Sequence, residues 1–428
     1  MSQAVRHKGW SVTFAGTGIN LALGILYTWS IFKESIAESI AAGGVGAFAW
    51  DISRLNDPYA VCCLVFAFSM ILAGRCQDRF GPRLTAMMGG ILVGVGFVWI
   101  SQTTSYAAWV LGFGVLAGTG IGFGYSAATP PALKWFPAAR TGLIAGLVVS
   151  GFGLASVYIA PLAQYLLGTV GLQGSMMIFG VAFLLVVGLL SLFLVNPPEG
   201  YVPAGAGPKN GAQAPPPPVK REVAPNDVLR TVSFWKLWFI FFIGAGAGLM
   251  IIGNLAGMAQ RSMGEAAFLA VAILAIGNAA GRIVAGMVSD RIGRSATLAL
   301  MLLLQAILMA VCIPVVGSEN TSAFALVLLA TFIGFNYGTN LSLFPSFAKD
   351  LWGLRNFGIN YGLLFTSWGV GGFVMSRLSQ MLMAATGTFT FSFVIASVLL
   401  LVGAGLTLTL AREPRPARVL PLTGSVPA

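Results

Sequence analysis

Runs of about 20 apolar residues recur from one end of the chain to the other with short polar breaks between them. Each run is long enough to cross the ~30 Å hydrocarbon core of a bilayer as a helix. The pattern predicts twelve spans, near 10–32, 56–75, 84–104, 107–130, 141–166, 174–195, 234–256, 266–288, 296–316, 322–346, 357–384 and 388–411. An even number of spans places both termini on one side. Residues 197–230 interrupt the rhythm: they are rich in Pro and Gly, have no apolar period, and predict a flexible linker. The expected organisation is a six-helix bundle over 1–196, a cytoplasmic linker over 197–230, a second six-helix bundle over 231–411 and a cytoplasmic tail over 412–428.

Composition removes the main alternative. Of the 428 residues 57% are hydrophobic and 9% charged, against ~25% charged in a soluble domain, so the fold class is an all-α membrane protein. The 55 glycines suit closely packed membrane helices. Cys62, Cys63, Cys76 and Cys312 form no C-x-x-C, and the chain has one histidine, so neither a disulfide framework nor a metal site is expected, and no cofactor. The N-terminal MSQAVRHKGW leads into a run too long for a signal-peptide core, with no small-residue cleavage site behind it, so the first helix is expected to be retained.

A net charge of +11 would suggest nucleic acid in a soluble protein, but the placement of the charges gives a different reading. With the N-terminus cytoplasmic, the cytoplasmic segments hold 19 of the 24 Lys and Arg, and the outer segments hold Lys33, Arg54 and Arg261. This asymmetry predicts a multi-pass inner-membrane protein with both termini cytoplasmic, whose partner is the lipid bilayer and not nucleic acid. Arg282 and Arg377 lie inside predicted helices; Arg377, late in the eleventh, is expected to snorkel to the outer headgroups.

The chain also repeats itself. Gly74 to Arg83, G-R-C-Q-D-R-F-G-P-R, returns 212 residues later as G-M-V-S-D-R-I-G-R, Gly286 to Arg294. Ile121 to Tyr125, I-G-F-G-Y, returns at the same spacing as I-G-F-N-Y, Ile333 to Tyr337, and the Gly142/Gly146 pair returns 216 residues on as Gly358/Gly362. Two parallel repeats related by an axis along the membrane normal imply a binding site between them near the midplane. The glycine pairs are expected to allow close helix contact.

Arg282 carries the strongest chemical signal. It sits eight residues before Asp290, hence ~12 Å in from the cytoplasmic end. Burying an arginine there costs at least ~2.5–3.5 kcal/mol on insertion scales. None of the thirteen acidic residues falls near mid-membrane, so the missing anion is read as a ligand; a planar guanidinium matches a carboxylate bidentately. Asn278, one turn earlier, shares that face, placed either to bind the same ligand or to join helices. Tyr27, Tyr125, Tyr337, Phe335, Tyr361 and Trp368 are candidate lining residues, with packing as the alternative; the repeat equivalence of Tyr125 and Tyr337 favours a polar cavity for that pair. Asp57, at the outer end of the second span, is the candidate proton-coupling residue, with helix capping as the alternative.

The two loop segments resemble the G-x-x-x-D-R-x-G-x-R motif of the major facilitator superfamily. That resemblance implies a gating role for Gly74, Asp78, Arg79, Gly81, Arg83, Gly286, Asp290, Arg291, Gly293 and Arg294. K-G-W near the N-terminus, L-G-I-L-Y-T-W-S-I-F in the first helix and N-Y-G-L-L-F-T-S-W-G in the eleventh are similar to the oxalate/formate antiporter and monocarboxylate transporter families. This implies transport of small carboxylates by proton symport or anion exchange, with Arg282 at the position of the helix 8 arginine that binds the carboxylate. Trp368 stands where the oxalate carrier has a lysine, which implies one cationic site and a monocarboxylate. Asn278 stands where the mammalian monocarboxylate carriers have the Asp used in proton coupling, and their first-helix lysine has no evident counterpart, Lys33 lying at the outer end. The expectation is a proton-coupled carrier of a small monocarboxylate such as lactate, functional as a monomer and not an enzyme. The alternatives are an oxalate/formate-type exchanger or a non-transporting receptor or channel.

Overall fold

The computed structural model describes residues 8–137, 141–198, 201, 223–317, 322–353 and 356–410. Most of the expected linker and all of the expected 412–428 tail lie outside them. The described residues form helices joined by short turns, with no strand among them.

Ten stretches are long and apolar enough to cross a membrane. One of these is two rods joined at Gly171, and Phe357–Thr386, too rich in Gly and Ser to reach the same hydropathy, completes twelve among the described residues. The rods are α1 (Gly9–Ala42), α2 (57–80), α3 (82–100), α4 (Tyr106–Lys134), α5 (141–170), α6 (172–191), α7 (Val232–Ile252), α8 (Phe268–Ile292), α9 (Arg294–Gly317), α10 (Ala323–Trp352), α11 (Phe357–Thr386) and α12 (Thr390–Leu410). The expected twelve spans are present.

Within the first half α2 packs on α4, α1 on α5 and α3 on α6; the second half repeats this with α8 on α10, α7 on α11 and α9 on α12. The halves meet along two contacts that the repeat makes equivalent, α5 against α8 and α2 against α11. In a bilayer no hydrophobic force drives helices together, so association relies on close packing of small residues. Between α8 and α10 this is carried by Gly281, where a Cβ would meet the Phe335 carbonyl, and by Gly338, where it would meet the Asn278 carbonyl.

Of the glycines expected to make close contacts, the three whose surroundings are described do not make them. A Cβ on Gly146 or Gly358 would meet nothing within 4 Å, and one on Gly362 only ordinary contact with Ile71 at 3.6 Å. Gly142 has no described surroundings. Gly146, Gly358 and Gly362 lie in the first turns of α5 and α11, at the face bearing the chain ends.

Helix α1 also runs further than its apolar pattern suggested. It tightens to a 3-10 turn at Gly24–Thr28 around Tyr27 and then continues as Trp29–Ala42. Lys33 therefore lies inside the rod rather than at its end.

Candidate functional site

Arg282 projects from the middle of α8 and is only 5% exposed. Its Nε donates to Asn278 Oδ1 at 3.1 Å, one turn back on the same helix, and one terminal nitrogen donates to the Val149 carbonyl of α5 at 2.6 Å. That second bond crosses between the halves. The guanidinium lies along α5 at Gly153, where a Cβ would come within 3.3 Å of Cζ and Nε. Among the described residues no carboxylate pairs with Arg282. The other terminal nitrogen and Asn278 Nδ2 are buried donors without a partner. Hydrogen bonds from a cation to neutral oxygens leave its charge uncompensated, and two idle donors beside it call for an acceptor with negative charge.

Beside this polar pole stands a phenol and indole network. Trp368 Nε1 donates to the Tyr337 hydroxyl at 2.8 Å, and the Tyr337 and Tyr27 hydroxyls share a hydrogen bond of 2.7 Å between the halves. Three donor hydrogens enter two bonds, so one hydroxyl hydrogen is left to point elsewhere. Tyr125 and Tyr361 are also buried, and all four tyrosines lie within electrostatic reach of Arg282. On the α2–α11 side the site is walled by Phe66, Phe365 and Trp368, with ring centroids 4.9–5.5 Å apart. The site is thus polar at one pole and aromatic at the other.

Of the expected lining residues the structure brings together Arg282, Asn278, Tyr27, Tyr125, Tyr337, Tyr361 and Trp368. Phe335 is half-buried, its carbonyl packs against Gly281, and no ring contact among those described ties it to the aromatic wall. Phe66, Phe365, Val149, Gly153 and Phe152, whose ring packs against those of Tyr27, Phe66 and Tyr125, were not anticipated. The repeat held a signal for Phe66, which lies 212 residues before Asn278.

The face remote from the chain ends is held shut by polar side chains. Lys33, expected at a helix end, is 6% exposed, and its ammonium donates to Asn254 Oδ1 at 2.5 Å and Gln380 Oε1 at 3.4 Å. Gln380 in turn donates to the Ile52 carbonyl at 2.9 Å, and Asn56 to that of Ser376 at 3.3 Å. Arg377, expected to snorkel to headgroups, instead pairs with Asp57 at 2.5 Å, an ion pair rather than an aligned hydrogen bond. Asp57 is 2% exposed and also accepts from the Tyr106 hydroxyl at 2.5 Å. The reason is geometric: Asp57 begins α2 opposite the last turns of α11, so the shortest reach for the Arg377 side chain is inward. All but the Tyr106 bond run from one half to the other.

At the face bearing the chain ends, the two motif loops are the turns from α2 to α3 and from α8 to α9. Gly81 (φ 82°) and Gly293 (φ 92°) adopt the left-handed backbone that side chains resist, which is what the motif's second glycine supplies. Gly74 and Gly286 make no close contact through their Cα. In the second loop Arg294 pairs with Asp290 at 2.7 Å and Asp350 at 3.4 Å and donates to Ser289, while Arg291 is exposed. In the first, Arg79 and Arg83 are exposed, Arg79 over the Phe80 ring, and the Asp78 side chain lies outside the described residues.

A family model described as Major Facilitator Superfamily matches residues 9–375 and 262–426. The chain is similar to the "Uncharacterized MFS-type transporter YhjX" of Escherichia coli (strain K12), 29% identical over 365 residues covering 84% of this chain and 85% of that one. It is similar to the "Oxalate:formate antiporter" of Oxalobacter formigenes at 27% identity, covering 80% of this chain and 77% of the other. It is also similar to the human "Monocarboxylate transporter 11" at 28%, covering 89% and 78%.

Proposed function

Because the chain belongs to the major facilitator superfamily, as a multi-pass membrane protein with transporter relatives, we propose that it carries small monocarboxylates, L-lactate or pyruvate among them, by proton symport with alternating access. The observation that supports this best is the buried Arg282, with two idle donors at one pole of a site whose other pole is aromatic. A monocarboxylate has the matching asymmetry, one anionic end and one apolar end. The carboxylate forks onto Arg282 with help from Asn278 Nδ2, and the free hydroxyl hydrogen of the Tyr27–Tyr337 pair meets a 2-hydroxy or 2-oxo oxygen. Its methyl end lies against Phe66 and Trp368. A second carboxylate at that end would be buried without a partner.

In this reading the termini are cytoplasmic, the Lys33 and Asp57 clusters are the outer gate, and the halves, dividing at the 197–230 linker, rock about the α5–α8 and α2–α11 contacts. Among the described residues no acidic side chain stands beside Arg282, so the proton travels with the substrate or near it, and the loaded site crosses without net charge transfer from the anion. Asp57 is the second proton candidate: protonating it removes the charge that holds Arg377 and loosens the gate from outside. The similarity to an oxalate:formate antiporter favours one alternative, obligatory anion exchange. Uptake into proteoliposomes of lactate, pyruvate, acetate, formate and oxalate, with and without preloaded anion and with an imposed pH gradient, separates the two. Symport predicts net uptake that rises as external pH falls from about 7.5 to 5.5. A strict need for internal anion with no response to the gradient establishes exchange instead.

A further inference from the structure

We infer that Phe152 is a specificity-determining residue: its ring closes the apolar end of the site and sets how long a carbon chain the carrier accepts. The inference rests on the transport reading above and deepens it from the class of carboxylate to its length.

Phe152 sits on α5 among the atoms that touch Arg282. Val149, three residues before it, supplies the carbonyl bonded to the guanidinium, and Gly153, the next residue, lies against that group. Residues three and four apart are neighbours on a helix surface, so the Phe152 side chain stands beside the face that meets Arg282. It is 1% exposed, and its ring centroid lies 5.0 Å from that of Tyr27, 5.3 Å from Tyr125 and 5.9 Å from Phe66. The backbone behind it has no room to withdraw. A Cβ on Gly24 would come within 2.6 Å of the Phe152 carbonyl, so α1 and α5 are in close backbone contact there.

The repeat gives this ring a partner. At the 216-residue spacing of the glycine pairs Phe152 is the counterpart of Trp368, and both rings meet Phe66. The two are held differently. Trp368 is tied to Tyr337 by a hydrogen bond and stacks on Phe365 at 4.9 Å, whereas the phenyl ring of Phe152 is held by packing alone. A ligand with its carboxylate on Arg282 and its chain toward Phe66 therefore runs between a bolted wall and one set by the size of a single ring. Each carbon beyond the methyl group of pyruvate has to push that ring into packed neighbours. Trimming Phe152 makes room without removing a hydrogen bond or a charge.

The test measures competition against labelled pyruvate uptake in proteoliposomes by unlabelled pyruvate, 2-oxobutanoate and 2-oxopentanoate. Wild type, Phe152→Leu and Phe152→Ala are compared, with Phe113→Leu as a control in a buried ring remote from Arg282. Ratios of inhibition constants do not depend on how much protein is folded. In wild type, competition is expected to weaken about tenfold or more from pyruvate to 2-oxopentanoate. Phe152→Leu narrows that gap, and Phe152→Ala reverses the order, each added methylene gaining about fourfold; Phe113→Leu keeps the wild-type ratio. Equal competition by all three acids in wild type, a wild-type ratio in Phe152→Leu, or the same shift in Phe113→Leu overturns the inference while wild-type transport still stands. Absence of pyruvate and lactate uptake from wild type removes the transport reading itself, and this inference with it.

Discussion

The two contacts that join the halves are copies of one another in backbone and opposites in chemistry. At α5–α8 the repeat positions carry Asn278 and Arg282 against Val149 and Gly153; at α2–α11 they carry Phe66 and Met70 against Phe365 and Gly369. One contact is a charged group held by carbonyl and amide oxygens, the other an apolar seam of rings and thioether. The difference shows how a duplicated scaffold acquires a direction: the symmetric fold supplies two equal walls, and three side-chain differences leave one of them charged and the other apolar. It also shows how the charge is tolerated, because the Val149 carbonyl and Asn278 Oδ1 both reach the guanidinium at one place.

The largest way to break this contrast is at the charge itself. Arg282→Lys keeps the charge and loses the fork, and uptake is expected to fall about 100-fold or more while the protein stays folded in the membrane, as read by transport against surface-normalised expression. Near-normal uptake would mean that a point charge suffices.

Next in size is a pair of stability measurements that use the two equivalent glycines. Gly369→Ala forces a methyl group into Ala67 and the Cys63 backbone, and is expected to lower thermal stability in detergent by about 1–3 kcal/mol. Gly153→Ala meets only a movable side chain and is expected to leave stability within about 0.5 kcal/mol of wild type. Equal losses would show that both positions are packing sites.

The aromatic wall is tested by oxalate. Against wild type it should compete for lactate uptake at least about tenfold more weakly than unlabelled lactate, and Trp368→Lys should narrow that gap by placing an ammonium where the second carboxylate lands. Trp368→Lys also removes the donor to Tyr337, so lactate transport itself should weaken. Oxalate and lactate competing equally against wild type would contradict the one-cation reading.

The smallest expected effect concerns the outer gate. Asp57→Asn mimics the protonated acid, cannot hold Arg377, and should shift the carrier toward the outward-open form, lowering the external half-saturation by about two- to threefold and flattening its dependence on pH. An unchanged half-saturation and pH profile would leave the pair as structural only.

The fold is legible in the sequence because hydropathy and duplication are read from the chain directly: twelve spans, two halves and the Arg282 depth all follow from spacing. The site is half legible. Arg282 stands out by having no anion within reach in sequence, and the symmetric Tyr125 and Tyr337 follow from the repeat. Val149 and Gly153 do not, because a backbone carbonyl and a missing side chain leave no mark in composition. The outer gate is hidden for another reason. Lys33, Asp57 and Arg377 each look terminal in their own helix, and only the packing of the two halves shows that Lys33 meets Asn254 and Gln380 and that Asp57 and Arg377 meet each other. The 212-residue shift, applied to every candidate and not only to the motifs, makes Phe66 the repeat counterpart of Asn278 by arithmetic alone.

The most direct test of the central account is whether ligand binding to Arg282 depends on carboxylate charge. Thermal unfolding of the purified protein should be followed with L-lactate and with lactamide, its neutral isostere, for wild type and Arg282→Lys. Ligand that binds only the native state stabilises it in proportion to its concentration over Kd, so lactate should raise the midpoint for wild type while lactamide does not, and neither should protect Arg282→Lys. Equal protection by lactate and lactamide, or undiminished protection of Arg282→Lys by lactate, would contradict the assignment of Arg282 as the carboxylate site.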